Sequence, residues 1–237
     1  MTGDLRVAVL GRGAIGAVVI RALEAGEVPG ARLTAVVDLG DSLADALAVA
    51  DLVVECAGQR ALAEHGPAVV AADRDLLVVS IGALTDDALH TRLRGGPGRL
   101  FLTSGAIGGL DLLRAAALMA PLDRVQIVTT KKPATLGVPD ATEPVEIMRG
   151  PAREVAAAFP KSTNVAAAVG LAAGSFDIVE AVVVADPAAT LTSHVITASG
   201  PAGDYRFEIR NRPSEQNPAS SQVVPHAVLA TLRDLAR

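Results

Sequence analysis

The chain predicts an α/β protein: a doubly wound parallel sheet in the first half and a second, α+β unit behind it. Three observations carry that expectation. Short apolar runs rich in β-branched residues alternate with helix-like segments through the first half. A glycine-rich turn joins the first such run to the first helical pattern. Beyond "SGAIGGLDLLRAAALMAPL" the alternation gives way to consecutive strand-like stretches.

The first element is "LRVAVLGRGAIGAVVIRALEAG", an apolar strand passing through glycines into a helix. Gly11, Gly13 and Gly16 fit G-x-G-x-x-G, and Ala14 and Ile15 open the helix between them. Gly11 permits the tight turn, Gly13 lets a pyrophosphate approach the backbone, and Gly16 lets helix and strand pack closely. Free N–H groups and the helix dipole at the helix start favour a negative charge there. The expected architecture is therefore of the Rossmann type, with a dinucleotide cofactor.

The second strand, "RLTAVVDLG", ends in Asp38, about 20 residues beyond the glycine turn as the fingerprint requires. A carboxylate there accepts hydrogen bonds from the adenosine ribose and repels a 2′-phosphate. NAD is favoured on that ground, while a reorganised loop could still admit NADP. The bland reading of Asp38 is a solvated strand end. "ADLVVECAG", "LLVVSIGAL" and "RLFLTSGAIGG" read as further strands, with a helical pattern in "QRALAEHGPAVVAAD". Right-handed crossovers would make this sheet parallel and gather ligands outside its carboxyl ends. The strands end in Cys56-Ala57-Gly58, Ser80-Ile81-Gly82 and Ser104-Gly105-Ala106, small residues that leave room for a flat nicotinamide.

In the second half, "RVQIVTTKKPA" reads as a strand ending in Lys131 and Lys132, followed by a Pro/Gly-containing segment to Pro151. Alternation along a strand prevents both lysines from facing the same side, so at least one is solvated or structural. "PAREVAAAFPKSTNVAAAVGLAAG" reads as helix, turn, helix, with Asn164 at the second helix's N-cap. "FDIVEAVVVADP", "TSHVITASG" and "DYRFEIRNRP" read as strands joined by tight turns in a mixed or antiparallel sheet. Asn217 reads as a turn residue, Ser220 and Ser221 as the start of a final helix. His194, on the second of these strands, is by itself a satisfied core histidine, a solvated edge residue or a group that moves protons.

Composition narrows the functional classes. The 237 residues are half apolar, with four Phe, one Tyr and no Trp, which suits helices packed on a parallel sheet better than an aromatic stacking platform for nucleic acid. The formal net charge of -5 argues against a polyanion-binding surface. Cys56 is the single cysteine, so neither an intramolecular disulfide nor a cysteine-based zinc site is expected, and no metal is. With no cationic neighbour in sequence, Cys56 reads as a small hydrophobe and not a nucleophile. Charges and glycines interrupt every apolar run before membrane-spanning length, so a cytoplasmic setting without a membrane partner is expected.

Taken in order, "GRGAIG", "VVECAG", "VVSIGAL", "SGAIGGLD", "KKP", "FPKSTNVAAA", "ADP", "SHVI" and "NPASS" resemble the L-aspartate dehydrogenases over nearly the whole chain. The resemblance implies NAD(P)-dependent interconversion of L-aspartate with iminoaspartate, which hydrolyses to oxaloacetate and ammonia. It implies a dinucleotide domain over 1–110, an α+β substrate-binding and dimerisation domain over 111–218, and a last helix, about 219–237, returning to the first. Carried over onto matching positions, the catalytic histidine is His194. On the same resemblance Ala106 and Asn164 are expected to contact the cofactor, beside the candidates Gly11, Gly13, Ala14, Ile15, Gly16, Asp38, Cys56 and Ala57. Lys131, Lys132, Lys161, Asn164 and His194 are the substrate-binding candidates. Thr192 and Val195 stand where the family usually carries Asn and Glu. Two other readings stay open at this point: a same-fold dehydrogenase or imine reductase for another dicarboxylic amino or keto acid, and a non-catalytic NAD-binding regulatory protein. A homodimer is expected, because the nearly continuous apolar stretch "VEAVVVA" needs cover on both faces.

Overall fold

The computed structural model describes residues 3–160 and 164–237. The chain divides into two compact units, Met1–Gly105 with Val224–Arg237, and Ala106–Val223.

The first unit alternates strand and helix: β1 (Leu5–Leu10), α1 (Ala14–Glu24), β2 (Ala31–Val37), α2 (Leu43–Val49), β3 (Leu52–Glu55), α3 (Gln59–Ala71), β4 (Asp75–Val78), α4 (Asp87–Gly95) and β5 (Leu100–Leu102). The strands form one sheet in the order β2-β1-β3-β4-β5, and every pairing is parallel. Val7, Val9, Val53, Val54, Leu76 and Leu77 are fully buried in its centre. Strands covered on both faces carry such continuous apolar runs. "LLVVSIGAL" is only partly strand: β4 stops at Val78 and Ile81–Thr85 forms a 3-10 helix.

Local chemistry sets the helix starts. Ser42 caps α2 by accepting from Asp45 N at 3.3 Å, and Asp86 caps α4 by accepting from Ala88 N and Leu89 N at 2.9 and 3.0 Å.

The second unit contains α5 (Leu110–Met119), β6 (Arg124–Lys131), β7 (Val145–Pro151), α6 (Ala152–Ala158), α7 (Asn164–Ala172), β8 (Val179–Ala185), β9 (Thr192–Gly200) and β10 (Gly203–Asn211). Its sheet is mixed, in the order β10-β9-β6-β8-β7. β6 runs parallel to β8 and antiparallel to β9. β8 and β9 are therefore not a hairpin, since β6 lies between them; only β9 and β10 meet across a tight turn. The expected Pro/Gly-containing connection also contains β7. Its polar Glu146 and Arg149, its irregular register between Glu146 and Met148, and its terminal Gly150-Pro151 suit an edge strand and hide the strand pattern.

The final helix, α8 (Val224–Leu235), belongs to the first unit and packs on α1. Arg233 Nη2 donates to Glu27 O at 2.8 Å. Ser220 and Ser221 precede this helix without starting it. Ser220 N donates to Asn217 O and Ser214 N to Ser220 O, both at 2.8 Å, which makes the segment a turn.

Candidate active site

In the first unit, the glycine turn lies at the carboxyl end of β1. Gly11 has φ +97°, a conformation that favours glycine, and a Cβ there would stand 2.8 Å from Ala57 Cα. At Gly16 a Cβ would come within 2.0 Å of Gly11 O, so strand and helix can approach only without a side chain. Gly13 differs, because a Cβ there meets nothing within 4 Å. It is the N-cap of α1 and offers no side chain to the helix's first N–H groups. Ala14 and Ile15 form the first turn. The backbone is tight where the fold needs it and open where an anion would approach, which fits a pyrophosphate.

Asp38 follows β2 on an exposed loop. Leu39 N donates to Asp38 Oδ1 and Asp38 N to Asp41 Oδ2, both at 2.9 Å. The two backbone donors at this strand end are thus engaged by carboxylates. Leu39 itself is 100% exposed.

Cys56 and Ala57 follow β3. Cys56 N donates to Leu10 O at 2.8 Å, so this loop is laced to the end of β1. Burial, then the neighbouring Glu55 carboxylate, pushes the Cys56 thiol well above its ordinary pKa, which removes it as a nucleophile. Glu55 itself was not singled out by sequence reasoning. It is fully buried, and its carboxylate accepts from Ala57 N, Gly58 N, Ser80 N and Ser80 Oγ. A charged residue closing the apolar run "DLVVE" was the available signal.

In the second unit, His194 lies on the side of the sheet that faces the helices and is 2% exposed. The paired row Ile209, His194, Thr129, Val183 and Met148 crosses four strand boundaries. Thr129 Oγ1 and His194 Nδ1 share a hydrogen bond at 3.1 Å. Burial, reinforced by the Lys131 charge, pushes the His194 pKa down to about 3, so the imidazole is neutral at ordinary pH.

Lys131 lies two residues beyond Thr129 on the same side of β6 and is 4% exposed. Its Nζ donates to Ala219 O at 2.6 Å, and burial lowers its pKa to about 8. Lys132 is exposed and precedes the 3-10 helix Pro133–Leu136. Period-two alternation thus separates the two lysines as expected.

Ala106 O accepts from Asn211 Nδ2 at 2.7 Å, a tie that sequence reasoning missed because it spans the whole second unit. Asn164 is the first residue of α7 and not its cap, and Lys161 lies outside the described residues. Asn217 Oδ1 accepts from Ala219 N at 3.3 Å, as a turn residue does. Thr192 shares the side of β9 that carries His194, whereas Val195 points to the opposite side. Of the two departures from the family pattern, only Thr192 is therefore on the histidine's face.

A parallel sheet with this glycine turn, joined in one chain to a unit that buries a neutral histidine and a cation together, defines a nicotinamide-dependent dehydrogenase. Comparison with known proteins gives the family. Residues 111–235 match the family model described as aspartate dehydrogenase, C-terminal, and residues 37–96 match the NAD-binding domain of homoserine dehydrogenase. The chain is 38% identical to L-aspartate dehydrogenase 2 of Bordetella pertussis, over 96% of each chain. It is 39% identical to L-aspartate dehydrogenase of Ruegeria pomeroyi, covering 98% of this chain and 93% of the relative. The crystal structure of aspartate dehydrogenase from Thermotoga maritima superposes with a TM-score of 0.79 at 28% identity, covering 98% of this chain and 97% of that one. The chain belongs to the L-aspartate dehydrogenase family.

Proposed function

We propose that the protein catalyses NAD-dependent oxidative deamination of L-aspartate to iminoaspartate, or the reverse amination of oxaloacetate, as a homodimer. The observation that carries this reading is Lys131, a buried ammonium beside His194 whose partner among the described residues is a neutral carbonyl. Desolvating a cation without a counter-ion is costly, and a substrate carboxylate is the group that would repay it. An amino dicarboxylate supplies that anion and also an amine proton for the neighbouring imidazole.

A bound nicotinamide would supply the hydride acceptor for the substrate Cα. Lys131 holds a carboxylate so that this carbon is fixed in place. In the tautomer that donates Nδ1–H to Thr129 Oγ1, His194 keeps the Nε2 lone pair free to take the amine proton. Burial is the larger cause of the low His194 pKa; a bound dicarboxylate would offset the Lys131 charge and so relieve the smaller one. Asn164 and Ala106 are the second unit's candidate contacts to the cofactor, with the Asn211 amide fixing the Ala106 carbonyl.

NAD is the preferred form on this reading. A 2′-phosphate at the end of β2 would meet Asp38, and the N–H groups of Asp38 and Leu39 already donate to carboxylates.

The homodimer reading rests on the sheet side opposite His194. Val128 and Val195 pair across β6 and β9 there, half-buried, in a row that ends at Glu208 and Arg149. A second copy would complete the burial of these valines.

The test is absorbance at the reduced-nicotinamide band, with L-aspartate and either oxidised cofactor, and with oxaloacetate, ammonia and either reduced cofactor. Turnover is expected with NAD(H) in both directions. Absence of turnover in both would sink the assignment.

A further inference from the structure

Glu55 ends β3 with its side chain 0% exposed, and the groups around it donate to it. Oε1 accepts from Ala57 N at 2.9 Å, Gly58 N at 2.8 Å and Ser80 Oγ at 2.9 Å, and Oε2 accepts from Ser80 N at 3.0 Å. Three of the four are backbone N–H groups, which cannot accept a proton, and each carboxylate oxygen takes at least one of them. Burial raises the pKa of this carboxyl, and the hydrogen bonds oppose that rise. Three backbone donors aimed at its two oxygens favour the carboxylate ion over the acid. A buried anion is an expensive way to fasten two loops if fastening is its whole task.

Its place in the sheet suggests a second task. The order β2-β1-β3-β4 puts Asp38 on one side of the glycine turn and Glu55 on the other. A dinucleotide with its ribose at Asp38 and its pyrophosphate at Gly13 runs on toward the carboxyl ends of β3 and β4. Glu55 straps together the two loops at those ends, and Ala57 in the first of them is packed against Gly11. Pyrophosphate turn, β3 loop and β4 loop are thereby one assembly with an anion at its centre.

From this placement we propose that Glu55 is a positioning residue for the nicotinamide half of the cofactor, and that its fixed negative charge favours the oxidised, cationic ring over the reduced, neutral one. The inference rests on the reading that the chain takes a nicotinamide dinucleotide. It adds a residue that shifts the balance between the two redox forms without touching the substrate.

The experiment measures dissociation constants for NADH, by its fluorescence, and for NAD+, by competition, together with the melting temperature of the free protein. Glu55→Gln removes the charge and is expected to weaken NAD+ about three- to tenfold more than NADH. Ser80→Ala removes one donor and keeps the charge, so both forms should weaken by the same factor. Equal weakening of both forms by Glu55→Gln, or no weakening of either, overturns the inference. Should Glu55→Gln fail to fold, Glu55→Asp carries the test, because it shortens the strap and retains the charge. Equal weakening of the two forms by Glu55→Asp is then expected. A shifted NAD+ to NADH ratio, or unchanged affinity for both, overturns the inference. A wild-type protein that binds neither form sinks the nicotinamide reading itself, an outcome distinct from any of these.

Discussion

His194 and Lys131 share one face of one sheet, and burial lowers the pKa of each. The imidazole is neutral, and the ammonium has a pKa of about 8. His194→Ala should retain cofactor binding while kcat falls about 100- to 10,000-fold, the range for loss of a positioned acid–base group. An unchanged kcat would remove the histidine from the mechanism. Lys131→Met should raise the KM for aspartate about 30-fold or more, since an interaction with a desolvated charge is lost. Lys132→Ala should change the KM less than about threefold, as exposed ion pairs contribute little. Lys131 must be protonated to hold a carboxylate, so its hold is complete below its folded pKa and declines above it. The Ki of a non-reacting dicarboxylate such as succinate should therefore rise as pH passes upward through about 8. A Ki that stays flat between pH 6 and 10 would assign the anchor elsewhere; Lys131→Met should flatten the profile. His194 was legible in the sequence only through its motif. Thr129, its hydrogen-bond partner, was not legible at all, because the pair lies 65 residues apart and is joined by strand register alone.

At the scale of the element, the glycine turn was fully legible, since its requirements are local. Spacing places the three glycines, and steric limits on a Cβ explain two of them directly. Gly13 is the informative one. Its backbone is compatible with alanine, at φ -64° and ψ -170°, and a Cβ there meets nothing in the protein. Gly13→Ala should leave the melting temperature of the free protein within about 2 °C while weakening NAD(H) about tenfold or more, since a single methyl in van der Waals conflict is felt strongly. Gly16→Ala should lower both stability and cofactor affinity, because its Cβ collides with Gly11 O. Calorimetry paired with NADH fluorescence separates the two outcomes. Strand β7 was not legible, for the opposite reason. An edge strand with Glu146 and Arg149 out of period-two alternation and a terminal Gly-Pro lacks a strand's pattern, and its pairing with β8 makes it a strand.

For the whole molecule, the second unit's sheet has one side lined by helices and another on which valines stand half-buried among charges. The homodimer reading predicts a sedimentation mass of twice the chain, and Val128→Glu should shift it to that of one chain. A monomeric wild type would count against the proposal. The sequence by itself determined the glycine turn, the strand–helix alternation of the first half, the carboxylate at Asp38 and the separation of Lys131 from Lys132. Each of these follows from steric limits or side-chain period within one short segment. The tertiary structure decided which segments lie side by side. It inserted β6 between β8 and β9, which pairs Thr129 with His194, and it brought the Ala219 carbonyl to Lys131 across 88 residues. It also closed four donors around Glu55 from two loops. The physical reason is that strand periodicity tells which residues of one strand share a side but carries no information about the neighbour. Neighbours are chosen by the burial and hydrogen bonding of the whole sheet, and the chemistry of this protein lies in those choices.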